Sequence, residues 1–137
     1  MDDITAIQQT LNRYTEAASR ADWAVVKSCF TEDAIWETPA GRIAGRDAAI
    51  AKMGELVAGF DYIVQLNAPG VIIVSGDTAT ARSVIRECGK LKGQDVAMEF
   101  LAHYNDKIVR TADGWKFAHR VFVSQGMHSF AVSPVAG

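Results

Sequence analysis

Apolar residues recur at spacings of three and four through residues 3–20, where Ile4, Ile7, Leu11, Tyr14 and Ala18 make one stripe of an amphipathic helix. Asp22 then reads as the N-cap of a short second helix that buries Trp23, Val26 and Phe30. Residues Asp33 to Thr38 read as a short strand, stopped by Pro39 and the turn residues Gly41 and Gly45. Asp47 is placed to cap a third helix from Ala48 to Ala58, ended by Gly59. From Phe60 the period changes to that of strands: Asp61–Leu66, Val71–Ser75, Thr78–Cys88, Val96–Val109 and Trp115–Ser124. The connections are Asn67-Ala68-Pro69-Gly70, Gly76-Asp77, Lys90–Asp95 and Thr111-Ala112-Asp113-Gly114. The tail SFAVSPVAG has no clear period and is left irregular. Helices first and an antiparallel meander afterwards predict an α+β domain, residues 1–137, with helices packed on one sheet face.

The last hairpin carries the candidate chemistry. Asp-Gly is a strong hairpin signal, and if Arg110 pairs with Trp115, Asp106 falls directly opposite His119. Strand side chains alternate, so Phe100, Ala102, Tyr104, Asp106 and Ile108 share a face with Trp115, Phe117, His119, Val121 and Val123. A carboxylate bonded to one imidazole nitrogen fixes the tautomer and leaves the other nitrogen free to move a proton. The alternatives are a ligand-binding pair without chemistry and a satisfied hydrogen bond that fixes strand register. The opposite face holds Leu101, Val109, Ala118 and Phe122, so both sides of the hairpin need cover, and a homodimer supplies it.

Composition narrows the function classes. The chain is 49% apolar with a formal net charge of −2 and a pI near 5.9. No basic cluster is present, which argues against nucleic acid and anionic membrane as partners. The start MDDITAIQQ lacks a secretory pattern, and no apolar run approaches the roughly 20 residues of a bilayer span. Cys29 and Cys88 lie far apart and read as buried free thiols in a reducing compartment, so the expectation is a cytoplasmic protein. His103, His119 and His128 have no ligand spacing, and there is no Gly-rich phosphate loop; neither a metal nor a nucleotide cofactor is implied.

The motifs RYTEAASRADWAVVKSCFTEDAIWETPAGRIAGRDAAI, GDTATAR and HYNDKIVRTADGWKFAHR span nearly the whole chain. Their order resembles the cone-shaped α+β fold of the nuclear transport factor 2-like superfamily, in particular its SnoaL-like branch. That family includes ketosteroid isomerase, polyketide cyclase and scytalone dehydratase relatives, dioxygenase β subunits and binding-only domains. The resemblance implies a curved antiparallel sheet wrapped around N-terminal helices and a pocket for a small apolar organic ligand. It also implies a cofactor-free lyase or isomerase that abstracts a proton, with isomerisation, cyclisation or dehydration of a carbonyl compound. The alternative it carries is a non-catalytic ligand-binding or accessory subunit.

By position, Tyr14 matches the isomerase's oxyanion donor and Asp106 its second donor. Thr38 stands where the isomerase has its general base, and a threonine hydroxyl cannot carry a proton near neutral pH. Steroid isomerisation by that mechanism therefore does not follow. The expected catalytic set is His119, Asp106 and Tyr14, with Trp36, Thr38, Arg82, Tyr104, Phe60 and Met53 binding substrate. Arg82 and Arg86 share a strand face; either would bind a carboxylate or enolate, or form a rim salt bridge with Glu99.

Overall fold

The computed structural model describes residues 1–135. Helices α1 (Asp3–Ser19) and α2 (Trp23–Ser28) lead into the hairpin β1 (Phe30–Thr38) and β2 (Gly41–Ala44). Helix α3 (Arg46–Val57) follows, then β3 (Phe60–Asn67), β4 (Val71–Ser75), β5 (Thr78–Leu91), β6 (Val96–Thr111) and β7 (Gly114–Ala131). The seven strands form one open, curved sheet in the order β2-β1-β7-β6-β5-β3, with β4 also paired to β5. Every pairing is antiparallel except β1 with β7, which adds the first strand beside the last strand of the meander. Among the described residues no helix is long and apolar enough to cross a membrane.

Helix α1 starts where the Asp2 side chain accepts the Thr5 amide at 2.8 Å, satisfying one of the free N–H groups of the first turn. Its inward stripe is Ile7, Leu11, Tyr14 and Ala18, as the spacing predicts, whereas Ile4 in the first turn is exposed. The Thr10 hydroxyl donates to the Trp115 carbonyl at 2.9 Å and ties this helix to β7. Asp22 caps α2 by accepting the Val25 amide. Buried Phe30, expected on α2, belongs to β1.

Three further expectations are corrected. Gly41 opens a four-residue strand, Gly41–Ala44, rather than a plain turn, and Gly45 follows it. The N-cap of α3 is Gly45, with a positive φ of 99° and no side-chain bond; Asp47 sits in the first turn and pairs with Lys27 at 2.9 Å. The segment Ser129-Phe130-Ala131 is not irregular but continues β7 against β6, Val96 facing Ala131; the last two residues of that tail lie outside the described residues. Cys29 and Cys88 are free, Cys29 buried and Cys88 half-buried.

Candidate active site

Between α1, α3 and the inner face of the sheet lies a cavity of about 500 Å3. Of the expected substrate-binding residues, Trp36, Thr38, Met53, Phe60 and Tyr104 line it, together with Tyr14. Arg82 does not. On β5 the inward row is Ala79, Ala81, Ser83 and Ile85, so alternation puts Arg82 on the outer face, where it is exposed. Arg86, on that same outer face, holds Glu99 through two bonds of 3.0 and 2.7 Å, the rim salt bridge the sequence offered.

The last hairpin has the expected turn, with Arg110 opposite Trp115, but its register does not persist. Ile108 faces Phe117 and Lys107 faces His119, so Ala118 is an extra, unpaired residue in β7. This β-bulge advances the pairing from His119 to Ser124 by one position. The parallel partner β1 is irregular at the same level, and the Phe117 amide donates to the Cys29 carbonyl at 2.8 Å. Beyond the bulge, Arg120 and Phe122 point inward, and His119, Val121 and Val123 point outward. The Asp106–His119 pair is therefore not formed. His119 lies 3.3 Å from Glu37 on the outer side, sharing that face with His103. His128 bonds Glu99 there at 2.7 Å rather than closing over the cavity.

What faces Asp106 is Arg120, its Nε 3.2 Å from Oδ1, and both side chains are fully buried. The guanidinium carbon sits 3.5 Å from the Tyr104 ring centroid and 4.2 Å from those of Tyr14 and Phe117. Removing two such charges from water costs several kcal/mol per ion, offset by their attraction and, at roughly 2 kcal/mol per desolvated contact, by the aromatic faces. Burial pushes the Asp106 carboxyl up to about 6, while the Arg120 charge pulls the other way. The pair does not itself line the cavity; it lies behind the two tyrosines that do. Burial raises both phenols, Tyr104 well above the ordinary value, and the Arg120 cation works against that rise in each. Tyr14 and Tyr104 pack edge to face, centroids 6.1 Å apart.

One group in the wall escaped the sequence reading. Glu87 continues the inward row of β5 after Ile85 and lines the cavity. Its carboxylate accepts a hydrogen bond from the side-chain amide of Gln65, its register partner on β3. Burial pushes Glu87 up, and the Gln65 bond partly holds it down. No lysine, arginine or histidine is among the lining residues. The signal was available: on an alternating strand, an acid in phase with Ala79, Ala81, Ser83 and Ile85 must face the same way.

A cavity of this size, with apolar walls and a few convergent polar groups, is what a small organic ligand requires. The fold matches solved structures closely. A protein provisionally named a scytalone dehydratase, from Novosphingobium aromaticivorans, is 22% identical, with 97% of this chain and 93% of that one covered at a TM-score of 0.83. The hexachlorocyclohexane dehydrochlorinase LinA-type3 from Novosphingobium barchaimii is 17% identical over 97% and 93%, with a TM-score of 0.84. A nuclear transport factor 2-like protein with a cystatin-like fold, also from N. aromaticivorans, is 21% identical over 88% and 80%, with a TM-score of 0.75. No curated protein gives a match. The model of the SnoaL-like domain matches residues 1–121, and the chain belongs to that family.

Proposed function

We propose that this chain is a cofactor-independent lyase or isomerase acting on a small, largely apolar carbonyl compound held in the inner cavity. The observation that carries the reading is the pair of tyrosines, Tyr14 and Tyr104, set in an apolar wall and stacked on a buried guanidinium. Phenolic donors backed by a fixed cation stabilise negative charge that develops on a ligand oxygen, and they do so without reorganising at the moment of reaction. Trp36, Met53 and Phe60 supply the apolar surface that expels water around that oxygen. Asp106 acts through Arg120, as the counter-ion that keeps the cation in place. His119, on the outer face, takes no part.

The named functions of the structural neighbours, a dehydration and a loss of hydrogen chloride, are eliminations and agree with this class of reaction. The second reading is a ligand carrier without turnover, favoured by Thr38 at the cavity wall where an isomerase would place its base. We further propose that the chain acts as one domain, in the cytoplasm, as a homodimer. The support for the dimer is the outer sheet face, where Val84, Leu101 and Val123 are exposed. Sedimentation giving a single species of the 14.8 kDa chain mass would remove the dimer.

The cavity reading is tested with 2-naphthol, an aromatic alcohol whose fluorescence separates the neutral from the ionised form. Saturable binding, one molecule per chain, is expected, with the emission of the ionised form enhanced over buffer at the same pH. Replacing both Tyr14 and Tyr104 by Phe should abolish that enhancement. Absence of saturable binding to the wild type would overturn the reading.

A further inference from the structure

We propose that Glu87 is the catalytic base and acid of this cavity, taking a proton from the carbon beside the carbonyl of an uncharged ligand and handing it on, with Gln65 as its positioning residue. The proposal rests on the cavity reading above and adds the group that moves the proton.

Three observations converge on Glu87. Its side chain is the one charged group among the residues that line the cavity. Of the other acids, Glu99 has Arg86, Asp61 has Lys90 at 2.7 Å and Asp3 has Arg110 at 2.9 Å, while Asp2, Asp22, Glu32, Asp33 and Asp95, which have no cation among the described residues, are exposed to water. Glu87 has no such partner among the described residues, so it does not serve as half of a structural ion pair. Gln65 donates to one carboxylate oxygen, Oε2, and fixes the plane of the group. Oε1 has no hydrogen-bond partner among the described residues and is the oxygen available to a ligand proton.

The surroundings suit a base. From β3 it meets Gln65, and across β6 its register partner is Phe100, with Tyr104 farther along that strand. From α1 the facing polar group is Tyr14, and Arg120 lies behind the two tyrosines. Two residues on, Gly89 leaves room for the Phe60 ring, which a Cβ there would meet at 2.5 Å. Aromatic cover on this scale desolvates the carboxylate, which favours its protonated form and strengthens it as a base. With no cation in the wall, an anionic ligand would meet an uncompensated like charge; the substrate class is therefore an uncharged carbonyl compound.

The step balances. The Glu87 carboxylate takes the proton from the carbon next to the carbonyl. The C–H electron pair becomes the carbon–carbon double bond of an enolate, and the carbonyl π pair moves to oxygen, where Tyr14 and Tyr104 donate to it. Protonated Glu87 then returns its proton, either to the far carbon of a conjugated dienolate as the carbonyl re-forms, giving an isomer, or to a hydroxyl whose C–O bond to the next carbon breaks as the carbonyl re-forms and a new carbon–carbon double bond appears, giving water.

The experiment follows hydrogen–deuterium exchange beside the carbonyl of 2-tetralone in heavy water by NMR, with 2-naphthol affinity measured in parallel. The wild type should exchange faster than buffer, and Glu87→Gln should lose that acceleration by on the order of 10²–10⁴. Its naphthol affinity should stay within about threefold, because Gln keeps the volume of Glu87 in the wall and the tyrosines are unchanged. Acetate added to Glu87→Ala should restore part of the exchange. The wild-type rate should rise with pH through one ionisation above the ordinary carboxylate range, and Gln65→Leu should move that midpoint upward. Exchange at the wild-type rate in Glu87→Gln overturns the proposal, as does a wild type that binds naphthol but exchanges no faster than buffer. Either result leaves the cavity reading standing, whereas a wild type that binds no naphthol defeats that reading first. Should neither variant fold, a wild-type rate that is flat from about pH 5 to 9 overturns the proposal alone.

Discussion

The two faces of strands β6 and β7 use the same chemistry to opposite ends. On the inner face, Asp106 and Arg120 form an ion pair with both side chains fully buried, walled by Tyr14, Tyr104 and Phe117. On the outer face, Glu99 holds Arg86 at 2.7 Å, but the arginine side chain is 60% exposed. The outer pair has the shorter contact and yet the weaker claim on stability, because water screens it and hydrates either partner once the other is gone. The inner pair has no such alternative. A charge left alone there keeps its full desolvation cost, so solvent and not distance decides which pair the fold depends on. Apolar residues divide in the same way: Phe100 and Phe122 wall a cavity, whereas Leu101 and Val123 face outward.

The largest test of this contrast is Arg120→Met. It keeps the volume but strands Asp106 among aromatic rings, and the expected loss is about 3–5 kcal/mol of unfolding free energy, measured by urea denaturation. Adding Asp106→Leu to it should recover much of that loss, since a buried pair replaced whole by apolar groups is often close to neutral. Arg86→Ala on the outer face should leave the melting temperature within the scatter of the measurement at physiological salt. An Arg120→Met protein as stable as the wild type would mean that the buried pair is not what holds the inner face.

A somewhat smaller effect sharpens the same point through pH. The folded-state pKa of Asp106, about 6, stands above its ordinary value of 3.8 because burial outweighs Arg120. Between those values the folded chain binds more protons at this site than the unfolded chain. Its contribution to stability is thus fully present below about pH 4 and is lost as pH rises through about 6. A two-unit shift corresponds to on the order of 3 kcal/mol across that window. Asp2, Asp3, Asp47 and Glu99, all held below the ordinary carboxylate range, act with the opposite sign, and their contribution is lost as pH falls. The observable is therefore a difference. Stability measured from pH 4 to about 7 should fall less, or rise more, with pH in Asp106→Asn than in the wild type. Identical slopes would place the Asp106 pKa at its ordinary value.

Much of the fold was legible because its signals are local. The stripe Ile7, Leu11, Tyr14 and Ala18 specifies one helix face, and Asp22 marks a helix start with a side chain that accepts an amide. Thr111 to Gly114 sets a two-residue hairpin loop, and the pairing of Arg110 with Trp115 follows from it. Part of the cavity wall was legible too: alternation sets Trp36 and Thr38 on one strand face, and both line the cavity beside Tyr104.

The centre of the site was not legible, for one reason. Counting back from the hairpin assumes an unbroken ladder, and one unpaired residue, Ala118, inverts every assignment from His119 to Ser124. Phe117 and Phe122 carry the trace of that inversion. Five residues apart, they fall on opposite faces of a regular strand, yet both rings are packed inward against tyrosines. The parallel pairing of β1 with β7, which sets the bulge against the end of α2, is a long-range contact with no counterpart in local pattern.

The smallest expected effect is the most pointed, because it falls on the histidine that an unbroken register would have made catalytic. His119 is half-buried beside Glu37 at 3.3 Å, one residue from Arg120 but on the other side of the sheet. His119→Gln keeps a polar group of similar reach against Glu37, so the expected change in unfolding free energy is within about 0.5 kcal/mol. Because the sheet itself lies between His119 and the cavity, 2-naphthol affinity and 2-tetralone exchange should both match the wild type. The comparison with Arg120→Met then isolates the bulge: neighbouring residues of one strand, one indispensable to the inner face and the other dispensable to it. If His119→Gln instead lowers exchange while folding normally, the register after Phe117 runs as an unbroken hairpin would have it. In that case the imidazole, not Glu87, faces the ligand.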